Sequence, residues 1–302
     1  MAGPPQLLHA TFSEKTVRPL DSYIRKTDEK NARNLTSGKF LWIDDQDTPA
    51  VASAYERLQR GEVLLERART SDPETEIPGG LVHDWEGIIY IPSRKLTDVL
   101  TILEDYNHQA SYFAPDVEQA RIEEHHGDEF LVFLRFRRVK IVTVVLDTEH
   151  KVTYFHDSPT RTHSRSSAVR IAEVENPGTK SEKELAPGQD SGFLWRMEAW
   201  WRLEEKDGGV YLQNRVVSLT RDIPPGLGWA VEPFVTSIPK ESLEFTLGAV
   251  RRAAMGKTNS GNCSGRIGRA SIDKAHFTCF GGGKNFRIST ELARDPRFSE
   301  QS

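Results

Sequence analysis

The sequence predicts an α+β fold: a curved antiparallel sheet wrapped around one long C-terminal helix, with an N-terminal helical extension. Three observations predict it. Period-two alternation runs through successive segments between Val117 and Thr220. A strong turn signal, Lys206-Asp-Gly-Gly209, joins two long segments into a hairpin. A helical pattern from Ser237 to Ala254 follows the last strand. Composition agrees with a globular chain: of 302 residues, 37% are hydrophobic and 28% charged. A formal charge of -4 does not favour nucleic acid or an anionic membrane surface. Two cysteines exclude a disulfide-dense scaffold.

Met1 to Phe12 lacks the apolar core of a secretory leader, and no run approaches the roughly 18–20 apolar residues of a membrane helix. This points to a soluble cytoplasmic protein, or a periplasmic or secreted one if a leader has been removed. Ser13 to Leu35 is predicted as a polar helix with Val17, Leu20, Ile24 and Thr27 on one face. Phe40-Leu-Trp-Ile43 is a short apolar anchor. A second helix runs from Pro49 to Arg60, with Thr48 at its N-cap, Pro49 at N1 and Gly61 at C′. Its stripe is Val51, Ala54, Tyr55 and Leu58. Ser71 to Gly80 is a linker by composition.

Ile88 to Ile91, closed by Pro92, is a short strand. Thr97 to Tyr106 is a helix, with Leu96, Val99, Leu100 and Leu103 at helical spacing. Asn107 to Pro115 is irregular. Strands follow at Val117–Glu124, Glu129–Arg138, Lys140–Glu149, His150–Phe155 and Ser164–Val174. Glu175 to Asp190 is a surface loop. In the hairpin arm, Trp195, Met197, Ala199, Trp201 and Leu203 share one face; Arg196, Glu198, Trp200, Arg202 and Glu204 share the other. That pattern predicts one face on a core or cavity and one in water. Arg221 to Trp229 is a loop. Ser237 caps the last helix, Pro239 sits in its first turn, and Leu243, Leu247, Val250 and Ala254 form its inward stripe. The helix is about 25 Å long, enough to cross a curved sheet. The chain therefore divides into an extension at 1–75, a body at 76–255 and a tail at 256–302 in which no element is placed.

Several stretches carry a family resemblance: Gly80-Leu-Val-His-Asp-Trp-Glu-Gly87, Val144-Val-Leu-Asp-Thr-Glu-His150, Arg170-Ile-Ala-Glu-Val-Glu-Asn-Pro-Gly178, Gly192-Phe-Leu-Trp-Arg196, Ser218-Leu-Thr-Arg-Asp-Ile-Pro224 and Ser237-Ile-Pro-Lys-Glu-Ser-Leu243. With the order of elements, they resemble the START/Bet v 1-like (SRPBCC, polyketide cyclase-like) helix-grip superfamily, and within it uncharacterised bacterial START-like proteins. The resemblance covers about Phe40 to Ala254. It implies a helix-grip body with an internal cavity for a lipid-like molecule. It carries over no catalytic motif.

Other motifs are weaker. Gly256-Lys257-Thr258 would need a glycine at the position of Arg251 to make a P-loop, and Gly281-Gly-Gly-Lys284 is a turn. His125 and His126 are adjacent and point to opposite sides of a strand. Cys263, His276 and Cys279 fall one ligand short of a structural zinc site. No metal and no cofactor is called for. The polar strand Ser164–Glu175 alternates Arg165, Ser167, Val169, Ile171 and Glu173 against Ser164, Ser166, Ala168 and Arg170. Its charges either orient a ligand inside the cavity or pair on the wet face. Trp195 and Trp201 either line the cavity or fill it; Trp200 is on the charged face, with the 40–43 anchor as its cover.

The candidate ligand-cavity residues are Trp195, Met197, Trp201, Tyr154, His156, Arg170, Glu173, Leu243 and Leu247. The leading expectation is non-catalytic binding or carriage of a hydrophobic or amphipathic small molecule. The partner is that molecule, with no nucleic acid and no integral membrane segment; transient membrane contact stays open. Two alternatives remain: a cyclase or dehydratase using His156 or Glu198 as a cavity acid/base, and a protein-interaction scaffold with a filled core.

Overall fold

Alternation in the strands sorts side chains onto two faces, and both faces find a cover. The computed structural model describes residues 14–68, 77–139, 143–186, 188–222 and 228–256, with backbone alone for 228–236. Most of the 71–80 linker, the 223–227 part of the predicted loop, the Trp229 side chain and everything from Lys257 on, including Cys263, His276 and Cys279, lie outside the described residues.

The elements are α1 (Glu14–Thr36), a 3₁₀ turn (Trp42–Asp45), α2 (Thr48–Gln59), β1 (Leu64–Arg67), β2 (Gly80–Pro92), α3 (Leu96–Glu104), α4 (Gln109–Tyr112), β3 (Val117–His126), β4 (Glu129–Val139), β5 (Thr143–Ser158), β6 (Arg161–Glu175), β7 (Lys183–Glu184), β8 (Arg196–Lys206), β9 (Gly209–Arg221) and α5 (Gly228–Ala254). All strand pairs are antiparallel, in the order β1-β2-β9-β8-β6-β5-β4-β3, with β7 added to β6. A single antiparallel sheet with α3 and the long helix α5 packed on its inner face is the expected α+β arrangement. On the inner face, Ile89, Ile91, Phe130, Val132, Leu203 and Leu212 meet Val99 and Leu103 of α3 and Leu247 and Val250 of α5 in one cluster. On the outer face, Ile88, Tyr90 and Tyr211 meet Phe40, Leu41, Ile43 and Leu58. Trp200, Val217 and Leu219 meet Leu20, Tyr23 and Ile24 of α1.

Four expectations are corrected. First, β2 is thirteen residues long rather than four, and β1 is an edge strand that the sequence did not signal. Second, the described part of Lys140–Glu149, from Thr143 on, and His150–Phe155 belong to one strand, β5. Third, α5 begins at Gly228, so Ser237 is not its cap and Pro239 lies inside it. A proline removes one backbone bond without forbidding the helix around it, and Pro19 sits inside α1 in the same way. Fourth, the charged face of β8 is not in water. Glu198, Trp200, Arg202 and Glu204 are all buried beneath the extension. Trp200 is covered by α1, with its indole N–H donated to Asp28 at 2.7 Å, and not by the 40–43 anchor.

A bulge also changes the face assignment in β6. Glu149 pairs with Arg170 but His150 pairs with Ala168, so Val169 is the extra residue. Beyond it the alternation flips. Arg165, Ser167, Arg170 and Ala172 share the outer face, while Ser164, Ser166, Ala168, Ile171 and Glu173 take the inner register.

α5 approaches the sheet at Gly87. A Cβ there would lie 2.7 Å from Leu247 Cδ1 and 2.5 Å from Leu65 Cδ2. Both atoms end flexible side chains, so Gly87→Ala is expected to lower stability at the small end of the overpacking range, by about 1–2 kcal/mol in urea denaturation. An unchanged midpoint would show that the helix stands further off.

Candidate functional site

The inner register defines rows that cross the sheet. One row runs Gly87, Asn214, Trp201, Ser164, Tyr154 over five strands. The next on that face runs Trp85, Val216, Ala199, Ser166, Val152. A third begins His83, Ser218, Met197 and resumes at Ala168 and His150. The lower end of this face is filled by α3 and α5. Toward the upper rows, Trp85, Trp201, Val216, Met197, Leu134 and Phe136 are only half-buried, so apolar side chains there are left incompletely covered.

Polar atoms inside these rows are not all matched. Ser164 is fully buried and Asn214 is 4% exposed. Among the described residues, Ser164 Oγ and Asn214 Oδ1 each have no hydrogen-bond partner. They flank Trp201 on the neighbouring strands. Each orphaned buried group costs about 1–3 kcal/mol unless something satisfies it. The two atoms therefore mark a place where a bound polar group would be favourable.

The titratable side chains in these three rows are His83, His150 and Tyr154. Burial lowers His83 and His150 to about 4, so both are neutral at pH 7. His83 Nε2 lies 3.1 Å from Thr220 Oγ1, and His150 Nε2 lies 2.9 Å from Thr148 Oγ1. The Tyr154 hydroxyl is 2.9 Å from that of Tyr106, and burial pushes its pKa well up. The rows are thus uncharged at neutral pH: aromatic, aliphatic, hydroxyl and amide groups. That set can hold an apolar body and orient neutral polar groups on either side of Trp201.

The nine candidates divide between places. Tyr154, Leu243 and Leu247 belong to the inner cluster, Trp201 packs against it, and Met197 lies on the same face. His156 is at the end of β5 with its side chain half exposed, 3.4 Å from Asp128. Arg170 is on the outer face, held between Glu149 and Glu184. Glu173 accepts the N–H and hydroxyl of Ser191 at 2.7 and 2.9 Å. Trp195 packs beside the α1 cluster and donates its indole N–H to Asp190 at 2.8 Å. Glu198, the other acid/base candidate, is on the outer face, bound by Arg165, Arg196 and Ser167. Glu198 therefore faces away from the inner rows, while His156 shares their face, one row beyond Tyr154 at the exposed end of β5.

Ser164, Asn214, His83 and His150 were missed. A single Ser or Asn in a strand is unremarkable until its row shows no partner. The two histidines carried a weak signal, since each alternates with hydrophobic residues of the inner register.

No family model matches the chain, and no curated protein matches it. Among solved structures, it is similar to a fragment of a STAR-related lipid transfer protein from Xanthomonas axonopodis at 18% identity, TM-score 0.42, over 63% of this chain and 98% of that one. It is similar to the Zhui aromatase/cyclase from Streptomyces sp. R1128 at 15% identity, TM-score 0.38, over 60% and 99%. It is also similar to a START superfamily protein from Mycobacterium smegmatis at 12% identity, TM-score 0.36, over 59% and 99%.

Proposed function

We propose that the protein binds a hydrophobic or amphipathic small molecule against the inner face of its sheet, and that it holds the molecule without transforming it. The observation that carries this is the pair of orphaned polar atoms, Ser164 Oγ and Asn214 Oδ1, on either side of half-buried Trp201. A ligand with an apolar body across the indole, an acceptor on one side for the Ser164 hydroxyl and an N–H or O–H on the other for Asn214 Oδ1, would satisfy both atoms. The neutral histidines support binding over acid–base catalysis, because a base held near 4 is poorly matched to proton abstraction at neutral pH. Among the described residues, no helix is long and apolar enough to cross a membrane.

The test is native purification, extraction into organic solvent and mass spectrometry of the extract. One stoichiometric small molecule is expected from the wild-type protein. Ser164→Val, which removes one orphan and narrows the space beside Trp201, is expected to lower the recovered amount about tenfold, from the loss of one buried hydrogen bond together with a steric clash. A clean extract from wild-type protein, or equal recovery from the variant, overturns the proposal.

A further inference from the structure

β6 leaves β8 after the Ser167↔Glu198 pair and takes up β7 instead. Between β7 and β8, Leu185, Ala186, Asp190, Leu194 and Trp195 line a common hollow. With β3, β4, β5 and β6 they form a cavity of about 680 Å³. Leu131, Glu149 and Lys151 line it, and the β4–β5 register puts all three on the outer face. Its apolar walls include Leu131, Val169, Leu185, Leu194 and Trp195. The volume is within the range of small-molecule sites, about 300–1,000 Å³.

The charges around it are unbalanced. Glu124, Glu129, Glu149, Glu173, Glu184 and Asp190 line it, against Lys151 and Arg170. Both cations are committed: Arg170 to Glu149 and Glu184, Lys151 to Glu129 at 3.5 Å. Glu124 has no cation within 4 Å among the described residues. It stands beside Glu129 on the β3–β4 hairpin, where Glu124 pairs with Leu131 and His126 with Glu129. An apolar hollow with an acidic edge complements a molecule that is greasy along its length and positive at one end. We propose that this cavity, whose lining includes none of Trp201, Ser164 and Asn214, is a second binding site for a cationic amphiphile: an alkyl or aryl body against Leu131, Leu185 and Trp195, with an ammonium group at the Glu124–Glu129 edge.

Calorimetric titration with decylammonium, decanoate and decanol below their micelle concentrations tests this on the full chain. Decylammonium is expected to bind with one equivalent and about tenfold more tightly than decanoate, the effect of one or two unit charges a few ångströms away at a surface. Added salt should shrink that preference. Leu131→Arg, which plugs the cavity with a like charge, is expected to abolish binding. If that variant does not fold, Leu185→Arg on the covering segment makes the same test. Glu124→Gln with Glu129→Gln should erase the preference for the cation while leaving decanol unchanged. Equal affinity for the two ions overturns the proposal, as does decylammonium binding that survives the arginine substitutions.

Discussion

Replacing Arg215 with alanine is expected to cost about 3–5 kcal/mol of stability, the range for removing one partner of a buried ion pair. Arg215 is 2% exposed and Asp84 3%. The guanidinium donates to both Asp84 oxygens, at 2.9 and 2.5 Å, and the Tyr23 hydroxyl donates to Oδ2 at 2.6 Å. Burial alone would lower the pKa of Arg215, but the hydrogen bonds and charge of Asp84 outweigh it and the pKa is raised. Without Arg215 a carboxylate is left inside the sheet–α1 interface with one hydroxyl for company. The contrast is the double substitution Asp84→Leu with Arg215→Met. It removes both charges and keeps the volume, so it should cost less than Arg215→Ala alone. Urea midpoints at pH 7 decide it. A loss under about 1 kcal/mol for Arg215→Ala would mean that water reaches the pair. If Arg215→Ala does not fold, Tyr23→Phe gives a smaller reading, about 1.5–3 kcal/mol for one bond to a charged group.

The same pair explains why part of the fold was hidden in the sequence. The inner faces of β4 and β8 were legible, because Phe130 to Phe136 and Met197 to Leu203 alternate plainly, although the same alternation put Trp195 on the wrong face. β2 was not. Its outer positions Asp84 and Glu86 look like loop residues, yet both are buried. Their partners are Arg215, Tyr23 and Gln213, far away in the chain. Local pattern cannot show a charge satisfied from more than a hundred residues away. The cover on β8 was hidden likewise: Arg202 donates to the carbonyl of Phe40 and to Asn31, and a backbone acceptor leaves no mark in sequence. The bulge at Val169 had no signal either, and it moved Arg170 to the opposite face from Ser164 and Ser166. Of the proposed site, Trp201, Leu243 and Leu247 came from hydrophobic spacing, and Tyr154 from the density of polar residues around it. Ser164 and Asn214 did not, since what distinguishes them is the absence of a partner.

Acid is expected to unfold the protein through the inner face before most carboxylates titrate. His83 and His150 are held at about 4 by burial, against an ordinary value near 6.5. Their folded pKa values are depressed, so the unfolded chain binds protons more readily between these limits. The stability they contribute is complete above pH 6.5 and is lost as pH falls toward 4. At pH 5 the loss is about 2 kcal/mol per histidine. Glu86 works in the other direction. Burial raises its pKa, partly opposed by Arg215 and Arg202, so its contribution is full at low pH and is lost as pH rises. It therefore opposes the acid loss from the histidines. His150→Gln keeps a polar side chain near Thr148 and removes the titration. Its stability between pH 7 and pH 5 should fall by about 2 kcal/mol less than that of the wild-type protein. Parallel pH profiles for the two proteins would show that His150 is solvated when folded. A bound ligand on these rows should deepen the wild-type profile, because it binds only the folded state with neutral imidazoles beneath it. Acid would then release the molecule and loosen the fold over the same range of pH.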